Sequence, residues 1–357
     1  MKRVFVVGYS ENKGGVENYI DILTRNISCD KFDIVLSMPT MIIDGVKWTR
    51  PKNRHNYIKY YCFWRRFFKS NIFDAVYFNT CDIVGIDVLK FAKKAGVPIR
   101  IIHSHNSENS RKLNCVHKFL EKYNKKNLDK YATHFLACSK NSGEWMFGKH
   151  RVYKIINNAI ETAKFEYNTA NRLKIRKELH IDNEYVIGMV GRLEIEKNHL
   201  YALRVFEKIQ EQKKQSYLII VGDGTLRTEI ENKINNSGIS GSIKMLGRRE
   251  DVYKIMSAFD CFLMPSTFEG FPFVLVEAQA AGLPCVVSDT ISKEVDISGN
   301  VHFVSLDSSP DEWAQQIIEY ATSEKRIENA QVLREKGYDI KDNIKYIESI
   351  LLNEEIS

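Results

Sequence analysis

Two carboxylates, Glu269 and Glu277, stand with seven residues between them in the stretch Met264–Pro284, MPSTFEGFPFVLVEAQAAGLP. The apolar run Cys261–Met264 stops at Pro265, Ser266 and Thr267, which reads as a buried strand meeting a loop. Pro272 suits the first turn of a helix, where a missing N–H costs nothing, and Gly282 ends a helix read from Phe273 to Ala281. Glu277 is the exception in that helix. Among Val274, Leu275, Val276, Ala278 and Ala280 its carboxylate is expensive to desolvate unless a hydrogen-bonding partner meets it. Between the two carboxylates lie the unsatisfied N–H groups of the first turn, around Gly270, Phe271, Pro272, Phe273 and Val274, a ready anion site. Carboxylates for hydroxyl groups and a helix end for a phosphate together describe a nucleotide sugar. Taken alone, the pair also fits a buried strand and helix with a satisfied glutamate.

A second constellation precedes it. The strand-like Tyr185–Val190 runs into Gly191, Arg192 and, five residues on, Lys197, before a helix read from Asn198. Two fixed cations facing a diphosphate stabilise the charge that grows on a leaving group, without need of a metal. In isolation they also fit a solvated loop.

The string E-G-F-P followed by the second glutamate resembles the signature of retaining glycosyltransferases of the GT-B fold, in family 4 (glycosyl transferases group 1). G-R-L-x-x-x-K-N, with Arg192 and Lys197, is similar to that family's diphosphate clamp. The resemblance implies that Glu277 accepts from ribose hydroxyls, that Glu269 holds the donor sugar, and that Gly14 and Gly15 line the donor phosphates. It implies a histidine beside the transferred sugar, here His103 or His105 of H-S-H-N, with His105 favoured as nearer the loop. G-R-R-E-D-V stands where relatives cradle the base, which brings in Arg248 to pair or stack near uracil. The implied donor is a UDP-sugar and the implied acceptor a saccharide, lipid-linked as in capsule, exopolysaccharide or O-antigen assembly. No cofactor and no metal is expected. Retention without an obvious covalent nucleophile implies front-face attack, with Glu269 as nucleophile the disfavoured alternative.

The elements that must position these groups are those of an α/β protein. About five strand–helix alternations can be counted in each half, which predicts two Rossmann-like, doubly wound domains facing across a cleft, the GT-B architecture. The expected division is residues 1–160, binding acceptor, and 161–339, binding the nucleotide sugar, with a last helix, 340–357, packing back on the first domain. Ile155–Ile160 resembles the family's interdomain crossing, with Asn158 replacing its glycine. Strands are expected at Val4–Val7, Phe32–Ser37, Ala75–Phe78, Val97–Ile102 and His134–Cys138, and helices near Ile83–Ala95 and Arg111–Lys130. The tail Glu312–Glu355 reads helical throughout.

Composition sets the outer limits. The 357 residues, 44% apolar and 27% charged, describe an ordinary globular chain with no apolar run long enough to span a membrane. Val4–Val7 is too short for a signal peptide, and seven scattered cysteines without CxxC spacing suggest reduced thiols. The expected location is the cytoplasm, with a peripheral place on the inner face of its membrane. The net charge of +7 is divided unevenly: residues 1–165 hold 29 Lys and Arg against 14 Asp and Glu, the remainder 23 against 31. Tyr57–Lys69 interleaves aromatic and basic residues at helical spacing, open to three readings: a core helix with a basic outer face, a nucleic-acid patch, or a helix on an anionic membrane surface, which the basic segment Arg111–Lys130 is expected to meet as well. No nucleic-acid motif accompanies it, and nucleic acid is not an expected partner. A sugar-nucleotide 2-epimerase would share the fold but not G-R-L-x-x-x-K-N with E-G-F-P, and a dinucleotide-dependent dehydrogenase would need a G-x-G-x-x-G that is missing.

Overall fold

The computed structural model describes residues 1–9, 15–37, 47–49, 57–106, 113–269, 271–320, 326 and 329–354. Two compact units make up the chain, one of Met1–Ala159 with Ile340–Ser357, the other of Ile160–Asp339.

The first unit alternates strand and helix: β1 (Lys2–Val7), α1 (Gly15–Asn26), β2 (Phe32–Ser37), β3 (Lys47–Thr49), α2 (Tyr57–Ser70), β4 (Ala75–Thr80), α3 (Asp87–Lys94), β5 (Ile99–Ser104), α4 (Cys115–Asn127), β6 (His134–Ala137), α5 (Lys140–Phe147) and β7 (Lys154–Ile155). Its sheet is parallel, in the order β3-β2-β1-β4-β5-β6-β7. The central strands are apolar on both faces, as a sheet covered on both sides requires: Val4, Phe5, Val6, Val76, Tyr77, Ile101 and Ile102 are all buried. The chain lays strands outward from β1 in one direction, then resumes at β4 on the other side. At that reversal the crevice beyond the strands' carboxyl ends opens.

α2 resolves one open reading. Trp64, Phe67 and Phe68 pack around Phe5 and Phe73, with Phe5 to Phe67 at 4.9 Å and Phe5 to Phe73 at 5.3 Å between ring centroids. Tyr60, Trp64 and Phe68 recur every fourth residue and are buried, while Lys59, Arg65, Arg66 and Lys69 are exposed. The aromatic face of α2 belongs to the core.

The second unit comprises α6 (Thr162–Phe165), α7 (Thr169–Glu178), β8 (Tyr185–Val190), α8 (His199–Gln212), β9 (Ser216–Val221), α9 (Arg227–Asn235), β10 (Ile243–Met245), α10 (Val252–Ala258), β11 (Cys261–Met264), α11 (Phe273–Ala280), β12 (Cys285–Ser288), β13 (Val301–Val304), α12 (Pro310–Tyr320) and α13 (Ala330–Glu335). Its six strands are parallel in the order β10-β9-β8-β11-β12-β13, so the reversal falls between β8 and β11. Asp260, just before β11, anchors that centre. Its carboxylate accepts from Arg172 and Arg176, each at 2.6 Å, and from the Val186 N–H at 2.7 Å. A partly buried charge is tolerable when its lone pairs are filled in this way. Arg326 donates to the carbonyls of Ala281, Met256, Ser257 and Phe259, capping the C-terminal ends of α10 and α11 together.

The tail departs from the continuous helix expected. α12 and α13 are followed by Gly337 at φ +78°, and then by Asp339, which forms a parallel β-bridge with Ile160. Only then does α14 (Ile340–Leu352) begin. It belongs to the first unit, where Asn343 donates to the Asn157 carbonyl at 2.8 Å and Glu348 accepts the Ser28 N–H at 2.8 Å. Thr162 donates to Asp339, and the Ile160 N–H donates to Tyr338 at 3.1 Å, so the second unit starts and finishes at one place.

Smaller departures have local causes. Pro98 delays β5 to Ile99, and the strand runs on to Ser104, so His103 lies inside it and not beyond it. The helix expected from Ile83 starts at Asp87, because Asp82 folds the preceding segment into a turn by accepting the Val84 N–H at 2.9 Å. α4 begins after Asn114, whose side chain accepts the His117 N–H, and ends in a 3-10 turn at Leu128–Lys130. Among the described residues no helix is long and apolar enough to cross a membrane.

Candidate active site

The loops beyond β8, β9 and β10 are laced to each other by backbone hydrogen bonds. Gly191 N–H donates to Val221, Leu193 N–H to Asp223, Leu226 N–H to Leu193 and Gly222 N–H to Gly247, all at 2.8–3.0 Å. Gly222 sits at φ +146°, and a Cβ there would fall 1.8 Å from the Gly191 carbonyl oxygen, so no larger residue fits. Glu194 adds a clasp by accepting both the Thr225 N–H and its hydroxyl, the latter at 2.6 Å. The G-D-G-T turn thereby braces the G-R-L loop.

On that rigid base the two cations differ. Arg192 is 60% exposed, with Glu196 3.5 Å away. Lys197 closes a 3-10 turn, Ile195–Lys197, which Asn198 ends in left-handed backbone at φ 55°. Asn adopts that conformation more readily than most residues. The stem of Lys197 runs along Gly191, and its Nζ donates to Glu269 Oε1 at 2.5 Å, with 17% and 11% of the two side chains exposed. Thr267 N–H donates to the Glu196 carbonyl at 2.8 Å, stitching the loop after β8 to the loop after β11. Residues 72 apart in sequence are thus brought together at the reversal of the sheet.

α11 rises from the same loop. Pro272 is its N-cap in extended conformation and not part of its first turn, because the Pro272 carbonyl already accepts from the Leu275 N–H at 3.0 Å. Phe271 is held between Phe273 and Tyr338, stacking on the latter at 6.1 Å. Val274 is half-buried on the outer side of the first turn. One turn on, Glu277 is half-buried, and among the described residues its carboxylate has no hydrogen-bond partner. Burial pushes it up to about 7, against a smaller lowering by Lys164. Its neighbour Gln279 is fully engaged with Leu275, Val295, Ile297 and Ser298. The helix therefore satisfies its structural polar residue and leaves the carboxylate open.

Of the two arginines after β10, Arg249 is locked by Asp251 and Glu178 at 2.8 and 3.0 Å, and these partners raise its pKa. Arg248 remains exposed. Gly14 and Gly270 lie outside the described residues, while Gly15 is exposed at the start of α1.

In the first unit, His103 and His105 do share one side of β5, with ring centroids 4.1 Å apart. His103 is fully buried, and its Nδ1 meets the Tyr77 hydroxyl at 2.8 Å, which meets the Tyr19 hydroxyl at 2.8 Å. His105 keeps some exposure, and its Nε2 meets Asn79 Oδ1 at 2.9 Å. Burial lowers both imidazoles, His105 to about 3, so both are neutral at pH 7. Tyr19, Tyr77 and Asn79 gave no signal in the sequence, since the roles of Tyr77 and Asn79 arise from pairing β4 beside β5 and that of Tyr19 from the packing of α1 against them. Among the described residues, no group of three or more His, Cys, Asp or Glu side chains is placed to hold a metal ion.

The family model for glycosyl transferases group 1 matches residues 171–340. Across 96% of this chain and 94% of the other, the sequence is 30% identical to the putative glycosyltransferase EpsF of Bacillus subtilis (strain 168). The chain belongs to the glycosyl transferases group 1. This glycosyltransferase is also 31% identical, over 56% of its length and 53% of the other's, to the UDP-Gal:alpha-D-GlcNAc-diphosphoundecaprenol alpha-1,3-galactosyltransferase of Escherichia coli. Among solved structures it is similar to Anabaena Alr3699/HepE in complex with UDP, with a TM-score of 0.77, 20% identity and coverage of 99% and 100% of the two chains. The transferase has the GT-B fold, built from two Rossmann-like units.

Proposed function

We propose that this glycosyltransferase takes its sugar from a UDP-sugar, transfers it with retention of configuration, and delivers it to a lipid-linked saccharide. The observation that carries the donor half is the convergence at the β8–β11 reversal of Lys197, Glu269 and the N-terminal end of α11. Arg192, Lys197 and the first-turn N–H groups at Phe271–Val274 stabilise the diphosphate as the glycosidic bond breaks. Glu269 turns from Lys197 to the sugar hydroxyls, Glu277 accepts from the ribose, and Arg248 meets the base. Retention then follows from front-face attack, with the leaving phosphate oxygen taking the acceptor's proton. Within the first unit, a saccharide hydroxyl is met by His105 as a neutral imidazole. Relatives named for UDP-galactose and diphosphoundecaprenol, and solved neighbours in complex with UDP and with UDP-glucose, support the donor and acceptor classes.

Calorimetric titration with UDP tests the donor, backed by a screen of UDP-sugars for slow hydrolysis without acceptor. Saturable UDP binding that weakens in Arg192→Ala is expected, and no UDP affinity at millimolar concentration would overturn the assignment. The cation pair makes a second prediction. EDTA is expected to leave turnover largely intact, and activity lost on chelation and restored by Mg²⁺ or Mn²⁺ would show that a metal carries the leaving-group charge.

A further inference from the structure

α4 is built inside out. Of its 13 residues only Asn124 is buried, donating to the carbonyls of Ile83 and Val84 at 2.9 and 3.1 Å. Leu120 is half-buried on the same side as Asn124, but the other large apolar residues face away from the unit: Val116 is 65% exposed, Phe119 67% and Tyr123 46%. Their spacing, three and four residues apart, sets them in one stripe along the helix. Phe119 and Tyr123 stack on each other at 6.4 Å. Exposed Lys118, Lys122 and Lys126 flank the stripe at intervals of four. The acidic residue of the helix, Glu121, is turned inward and paired with Lys125 at 2.9 Å. An ordinary surface helix buries its apolar stripe and shows its polar one. Here a buried asparagine anchors the helix, so that three large apolar groups and three cations share the outer face.

We propose that this face of α4 docks on an anionic lipid bilayer, the helix lying in the plane of the headgroups. The three apolar side chains enter the boundary with the acyl chains, and the lysines meet lipid phosphates. Charge complementarity selects this occupant over an apolar protein partner, because a protein groove for Phe119 would have to desolvate the lysines around it. α2 is not the docking element, since its aromatic side chains are spent in the core. The proposal deepens the reading of a lipid-linked acceptor, and turnover on a water-soluble acceptor separates the failure of one from the failure of the other.

Co-sedimentation of the full chain with phosphatidylglycerol vesicles, against phosphatidylcholine vesicles, tests it. Binding to the anionic vesicles is expected, weakening as salt rises. Lys118→Gln, Lys122→Gln and Lys126→Gln combined are expected to weaken it by about a hundredfold. Val116→Ser with Phe119→Ser should weaken it as well, whereas Arg65→Gln, Arg66→Gln and Lys69→Gln combined should have a much smaller effect. All these variants should keep turnover on a short soluble acceptor and an unchanged Tm, because the altered side chains are exposed. Wild-type protein that ignores anionic vesicles would overturn the proposal. So would α4 variants that bind vesicles normally, or a serine pair that converts a dimer to a monomer with vesicle binding intact, which would make the face an interface between copies.

Discussion

Lys197→Ala is expected to lower kcat by at least about 10²-fold at saturating donor, the size of effect seen when one electrostatic stabiliser is removed from a reacting centre. The geometry explains why a neighbouring cation would not substitute. Arg192 is mostly exposed, whereas Lys197 is fixed by the 3-10 turn, by left-handed Asn198 and by the bare backbone of Gly191 beneath its stem. Losing Lys197 also leaves Glu269, only 11% exposed, without its partner at 2.5 Å. That carboxylate would then repel the incoming diphosphate, so KM for the donor should rise together with the fall in kcat. Adding Glu269→Gln to Lys197→Ala is expected to recover part of the donor affinity but none of the turnover. Steady-state kinetics on the three proteins decides this, and full activity in Lys197→Ala would remove the residue from the diphosphate site.

Glu277→Gln should have opposite effects on stability and binding. Burial lifts this carboxyl to about 7 in the folded chain, from 4.5 in its ordinary state. Between these values the folded protein holds a proton that the unfolded chain has released, so stability declines as pH rises through this window. Above pH 7 the cost is complete, about 2 kcal/mol once partial exposure is allowed for. Gln carries no such charge. In the absence of donor, the variant should therefore melt about 4–8 °C higher at pH 8 and no higher near pH 4.5. Its affinity for UDP should fall at least about tenfold, since hydrogen bonds from hydroxyls to a carboxylate are the stronger kind. Wild-type affinity should itself weaken as pH drops below 7. A variant that melts like wild type at pH 8 and still binds UDP tightly would mean that Glu277 is neither strained nor used.

Much of the second unit was legible because local signals there agree with each other. The strand at Cys261–Met264 was expected with these bounds, and α11 stops one residue before the expected end, since Pro272 and Gly282 punctuate an apolar run. What escaped the sequence depends on distant partners. Lys197 and Glu269 were assigned to different parts of one donor, and nothing in their spacing says that they pair. The tail read as one helix because the Asp339 bridge to Ile160 crosses 179 positions. Tyr60, Trp64 and Phe68 do carry a core periodicity, but basic residues between them kept a surface reading open until Phe5 and Phe73 were placed against them. α4 shows the converse. Its pattern is amphipathic, and only the burial of Asn124 reveals that the apolar side faces outward.

The bridge between Ile160 and Asp339 also bears on how such chains diversify. Because both crossings lie side by side, residues 160–339 form a cassette whose two ends can be joined to a host at a single spot. Inserted segments with neighbouring termini are the ones that hosts tolerate. Recombination at these two points would exchange the whole segment and leave the helix that follows it free to rejoin its own unit. If this segment binds the donor as proposed, a new donor preference could be acquired in one step, without redesigning the rest of the chain.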